Sequence, residues 1–204
     1  MPLEILSNTT IRLERVIEAM RARKYRVYDK DYQLNIVGIR RWPLKVDVFN
    51  DTLFVFHALD GQWIYQKYQI TTIPGLTYLE EKFFNKAGTA IVVPGQYRDH
   101  YEVDLHWGYQ ALCQKRGRAI PVYRDNMLDG IPELNEAKRG TGLGINIHRA
   151  ARDGCSVRVS DYSAGCQVFR CAEHFDGFMS TVRRARDEHG NSFTYTLLNE
   201  QDVS

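Results

Sequence analysis

Two residues in one short stretch of this chain are of types that together can do covalent chemistry. His148 closes a strand-like run, Ile145-Asn146-Ile147-His148, and Cys166 follows in a turn of small residues, Ser163-Ala164-Gly165-Cys166. A sulfur nucleophile needs a base to take its proton, backbone N–H donors for the oxyanion, and an approach free of bulky side chains. The small residues of the turn would let a substrate carbonyl lie against the main chain there. The loop between the histidine and the cysteine is long enough to fold back and bring the two together. The alternative is a small buried cysteine and a hydrogen-bonded strand histidine with no shared role.

Other constellations are poorer. Cys171-x-x-His174 is a single short-spaced pair where structural zinc usually shows two, and it falls at the entry to a helix, where capping and packing explain it. No metal and no cofactor is therefore expected. The glycines of Gly140-Thr141-Gly142-Leu143-Gly144 lack the G-x-G-x-x-G spacing of a phosphate cradle, and they lead into a strand; they read as a flexible approach to it. Asp125-Asn126-x-x-Asp129-Gly130 has the wrong spacing for a calcium loop and reads as an Asx-turn. His106-Trp107-Gly108 lies between two expected strands and is a candidate cleft lining, as are Tyr97 and Tyr101. His57, His100 and His189 have no motif around them.

The elements that must hold these groups are mostly strands. Twelve Tyr and nine Phe suit the half-buried pleated surface of a β-rich fold. Strands are expected over 34–40, 45–59 and 62–72, with turns at Asn50-Asp51 and Asp60-Gly61, which makes an antiparallel meander. Further short strands are expected over 89–93, 101–105, 109–114, 120–123 and 193–198. Residues 125–144 read as a long irregular connection. Residues 8–24 have helical apolar spacing, with Asn8 or Thr9 as N-cap, and form an amphipathic helix packed on the body. The second helix, 172–188, carries Phe175, Phe178, Met179, Val182 and Ala185 on one face.

Composition excludes several classes. The 204 residues suit one domain with an elaboration: an N-terminal helical extension over 1–32 and a body over 33–204. The 27 basic and 25 acidic side chains leave +2, too little to draw the chain strongly to nucleic acid. Four cysteines, Cys113, Cys155, Cys166 and Cys171, are too few for a disulfide scaffold and are expected mostly as free thiols. The N-terminal residues show no apolar signal-peptide core, and no run reaches the ~20 apolar residues of a membrane-spanning helix; a soluble protein is expected.

The histidine-loop-cysteine arrangement resembles the catalytic domain of the L,D-transpeptidases. In that family a strand-borne histidine is followed, after a loop of this length, by a Ser/Thr-His-Gly-Cys turn. Gln69-Ile70-Thr71-Thr72-Ile73-Pro74-Gly75 is similar to the family's upstream strand and turn. The resemblance is loose over 33–170 and specific over 144–169. It implies a mainly β (α+β) fold, a β-sandwich with a helix near each end. Cys166 is then the nucleophile and His148 the base, oriented by the main-chain carbonyl of Arg149. Backbone N–H groups around Gly165 and Cys166 form the oxyanion hole, with Ala164 in the turn and Ser163 bracing it. Two positions depart from the family pattern: Ala164 stands where the second histidine is usual, and Val168 where an arginine is common.

The activity implied by the resemblance is acyl transfer on a peptidoglycan stem peptide: cross-linking if an amine accepts the acyl group, carboxypeptidase or endopeptidase hydrolysis if water does. Without a signal peptide, the expectation is a phage endolysin or a delivered effector acting on the bacterial cell wall. The rival reading is a wall-binding or virion structural protein that keeps the fold without the activity.

Overall fold

The computed structural model describes residues 11–204. Eleven strands and two longer helices succeed one another in chain order: α1 (Leu13–Ala22), β1 (Asn35–Arg40), β2 (Asp51–Leu59), β3 (Gln62–Thr71), β4 (Thr89–Val92), β5 (Gly95–His106), β6 (Tyr109–Gln114), β7 (Ile120–Asp125), β8 (Arg139–Gly142), β9 (Ile147–Arg149), β10 (Gln167–Phe169), α2 (Ala172–His189) and β11 (Phe193–Asn199). Eight of the strands close into a barrel in the order β1-β11-β5-β6-β9-β10-β3-β2, and β4, β7 and β8 form a separate three-stranded sheet. The fold is mainly β. The two sheets foreseen as a sandwich are arranged instead as a closed barrel and a small second sheet, because β11 returns to pair with β1 and leaves the large sheet no free edge.

The β1-β2-β3 meander is antiparallel throughout, with Asp60-Gly61 as the expected turn between β2 and β3, whereas Asn50-Asp51 makes no turn because Asp51 already pairs with Ile70 in the β2–β3 ladder. Strand β2 begins at Asp51, however, and not at Lys45. Asp47 adopts a φ of +62°, which breaks the alternation, and its carboxylate accepts the backbone N–H of Ser160. Residues 45–50 thus serve the loop before the cysteine. Strand β5 starts six residues earlier than expected. Its first half is rich in polar residues that hide the inward-facing Tyr97, and this half pairs with β11. Part of the long connection before Ile145 is also ordered, with β8 laid against β7. Within that connection, Asp125 accepts the N–H groups of Met127 and Glu133, and Asp129 accepts that of Ile131, so the expected Asx-turn is present.

Helix α1 buries Leu13, Val16, Ile17, Ala19 and Met20, and packs on Val37, Ile39, Phe54, Phe56 and Leu198 of the barrel. The residue at its N-cap is Arg12; Asn8 and Thr9 lie outside the described residues. Helix α2 inserts Phe175, Phe178, Met179 and Val182 into the main core, where Phe178 meets Phe169 with ring centroids 5.0 Å apart. Each such fully buried side chain contributes roughly 1.5–3 kcal/mol. Gly190, at φ +88°, ends the helix. No helix of the described residues is long and apolar enough to cross a membrane.

One interior feature bears on the site. Arg40 and Asp51 are both buried and meet through Thr72. Arg40 Nε and Nη2 donate to the Thr72 hydroxyl and carbonyl at 3.0 and 2.8 Å, while Asp51 Oδ2 accepts both the hydroxyl and the N–H of Thr72 at 2.7 Å. This clamp fixes the turn at the end of β3, and three residues on the Gly75 N–H donates to the Ser163 carbonyl at 2.9 Å. The stretch resembling the upstream family motif therefore buttresses the turn that carries the cysteine.

Candidate active site

A parallel strand pair sets His148 and Cys166 on one face, with Cys166 immediately before the second strand. Strands β9 and β10 run side by side with Val168 opposite His148 and Gln167 opposite Ile147. Parallel neighbours require a crossover connection, and residues 150–166 provide it. Successive side chains alternate across a strand. Ile147 and Phe169 enter the main core, so Asn146, His148, Cys166 and Val168 share the opposite face. On it, Val168 is packed with Phe49 and Val159, with Cys166 at the edge of that cluster.

The crossover is tied down by a bond that the number and spacing of the cysteines do not reveal. Cys155 and Cys171 form a disulfide, leaving Cys113 and Cys166 as free thiols. The expectation of mostly free thiols is thus corrected for half of them. The reason is local: Cys155 and Cys171 sit opposite one another in an isolated β-bridge, their Cα atoms 4.0 Å apart, where the crossover passes the start of α2. With its sulfur in that bond, Cys171 is no thiolate partner for His174, whose ring instead lies 5.9 Å from that of Tyr68. No metal-ligating cluster occurs among the described residues.

The tautomer of the histidine is set by its neighbour. His148 Nδ1 lies 2.8 Å from the carbonyl oxygen of Arg149. A carbonyl can only accept, so Nδ1 carries the proton and Nε2 is the free lone pair. Burial, with the neighbouring His106 as a second cause, pulls the His148 pKa down to about 4. The Arg149 guanidinium itself turns away and stacks 4.4 Å over Tyr109.

The cysteine is held as a thiol. Its Sγ donates to the Gly144 carbonyl at 3.5 Å and accepts the Asn146 N–H at 3.4 Å. The residue keeps some exposure, yet burial of the sulfur pushes its pKa up to about 11, with the Asn146 N–H pulling the other way. At neutral pH the resting pair is thiol and imidazole, not the thiolate and imidazolium of a papain-like site. No hydrogen bond joins His148 to Cys166 among the described residues.

The turn divides its amides. The Gly165 N–H donates to Ser163 Oγ at 3.2 Å, and that hydroxyl donates to the Cys166 carbonyl at 2.9 Å. Ser163 thus holds both sides of the turn, and the Gly165 amide is already engaged by it. The N–H groups of Ala164 and Cys166 have no acceptor among the described residues. Gly165, at φ +127°, passes close beside the Ala90 backbone of β4, so the second sheet also supports the turn.

Several groups at the site carry no motif of their own in the sequence. Asn146 reads there only as part of the strand run, yet it touches the sulfur, β6 and His106. Tyr78 lies near enough that its pKa is raised first by burial and then by Asp161 and Cys166. Gln167, fully buried, takes the Tyr195 hydroxyl at 2.7 Å and donates to the Gly165 carbonyl at 3.3 Å, securing the turn from inside the barrel. Its position directly after the cysteine is the one available signal. Tyr97 and Tyr101 are buried in the barrel and do not cover the site. Comparison with family models, with curated proteins and with solved structures found no match.

Proposed function

We propose that this chain is a cysteine acyltransferase or peptidase of L,D-transpeptidase type, acting on peptidoglycan stem peptides. The observation that carries the reading is the placement of His148 and Cys166 on one face of adjacent parallel strands, with the His148 Nδ1–H given to the Arg149 carbonyl.

In this reading His148 Nε2 takes the thiol proton as Cys166 Sγ attacks the carbonyl carbon of an L-configured stem-peptide residue. A neutral pair suits that step, because the proton leaves the sulfur only as the new bond forms. The tetrahedral oxyanion is met by the Ala164 and Cys166 N–H groups. As the intermediate collapses, the C–N bond breaks and the imidazolium gives its proton to the departing amine, leaving a thioester on Cys166. An incoming amine or water then attacks the thioester while His148 takes the attacker's proton, and the sulfur recovers that proton when the product leaves. An amine gives a cross-link and transferase activity; water gives hydrolase activity. The buried Val168 and the small Ala164 leave the donor side without the family's arginine and second histidine. Action on the cell wall by a released phage endolysin or a delivered effector belongs to the same proposal.

The test is mass spectrometry of peptidoglycan fragments after incubation with the protein, with and without an added amine acceptor. New or shortened stem peptides with the wild type, absent with Cys166→Ala, are expected. Identical fragments from both would overturn the proposal and leave the inactive wall-binding or virion reading.

A further inference from the structure

The imidazole of His106 lies against that of His148, with centroids 4.3 Å apart and planes 26° from parallel. His106 ends β5 at the mouth of the β5–β6 hairpin, so this contact joins a separate element to the base. The state of His106 can be deduced from its partner. Asn146 Oδ1 accepts the backbone N–H of Gln114 at 2.9 Å, which fixes the amide so that Nδ2 faces outward. That Nδ2 lies 3.0 Å from His106 Nδ1. An amide nitrogen only donates, so His106 Nδ1 must be the lone pair. Protonating His106 there would remove the hydrogen bond and place an N–H against an N–H.

We infer that His106 is a positioning residue for His148: held neutral by Asn146, it gives the base an uncharged ring face against which to carry the proton taken from Cys166. The inference rests on the His148–Cys166 reading above and deepens it. A cation over an aromatic face is attracted, and two cations so close repel. The pair therefore accommodates a proton on His148 only while His106 has none, and the two rings titrate as a unit.

Few charges compete with this arrangement. From β6 the pair meets Tyr109, 5.6 Å from the His106 ring and capped by the Arg149 guanidinium of β9. The adjoining helix α2 presents Phe175 to Tyr109. No carboxylate forms an ion pair with either imidazole among the described residues. Burial lowers the pKa of His106 as well as that of His148, the direction the Asn146 hydrogen bond requires.

The experiment is an NMR titration of both imidazoles in the full chain, which needs no peptidoglycan substrate. In the wild type, His106 Nδ1 is expected to be unprotonated at pH 7, with both rings titrating below 6.5. Asn146→Asp supplies an acceptor for an Nδ1–H, so the His106 pKa should rise by about a unit, and the His148 pKa should fall as a charged ring comes to lie against it. His106→Phe keeps a ring face but cannot charge, so the His148 pKa should rise toward its ordinary value. An unchanged His148 titration in either folded variant, or a protonated His106 Nδ1 in the wild type, overturns the inference. If the titrations behave as stated and peptidoglycan is untouched, the histidine pair stands and the proposed activity falls.

Discussion

Gly165 passes the carbonyl of Ala90 so closely that a Cβ added to it would lie 2.5 Å from that oxygen, and its φ of +127° already excludes most side chains. The cysteine turn is therefore set by contact with the second sheet as well as by its own hydrogen bonds. Gly165→Ala should cost about 1–3 kcal/mol in chemical denaturation and shift Cys166 relative to His148. Gly140→Ala is the control, since a Cβ there meets only Arg124 at an ordinary 3.5 Å. Equal midpoints for the two variants would show that the Ala90 contact does not define the turn.

The Cys155–Cys171 bond closes a loop of sixteen residues' separation across the connection from His148 to Cys166. Loops of that size are stabilised by roughly 3 kcal/mol when cross-linked. Adding a reductant should lower the thermal midpoint of the wild type and leave a Cys155→Ser/Cys171→Ser variant unmoved. A wild type indifferent to reductant would mean that the bond does not hold the crossover.

Arg40 and Asp51 should depend strongly on each other. Arg40→Met leaves a buried carboxylate without its cation, and Asp51→Asn leaves a buried guanidinium without its anion; each should cost about 3–5 kcal/mol by urea titration. The double variant should lose less than the sum of the two, because neither charge is then stranded. Simple additivity would mean that Thr72 does not couple them.

The Cys166 thiol pKa is raised, so its thiolate fraction and alkylation rate should still be rising above pH 9, up to about 11. A rate already level at pH 7 would mean a preformed thiolate. A thiol made acidic by a neighbouring imidazolium would behave in the opposite way. Burial of both partners is what decides for the neutral pair.

Much of the framework is legible in the sequence because its signals are local. Alternation and turn residues mark the β1-β2-β3 meander, the Phe175-Phe178-Met179-Val182 stripe marks α2, and short apolar runs mark the histidine and cysteine strands. The features that escape depend on partners distant in sequence. Strand β5 reads too short because Tyr97 hides among polar neighbours and is ordered by pairing with Tyr195. The disulfide needs the crossover to bring Cys155 to the start of α2. His106 stands out as a cleft residue from its place between strands, but its stacking on His148 depends on β6 lying beside β9.

The disulfide also divides the chain's sulfur chemistry. A bond between Cys155 and Cys171 forms in an oxidising setting, and the same oxidants would reach for Cys166, the sulfur whose reduced form the proposed reaction needs. Oxidation proceeds through the thiolate, which burial keeps scarce at Cys166. A thiol that ionises only when a base draws off its proton can share a molecule, and a medium, with a bond that only oxidation makes.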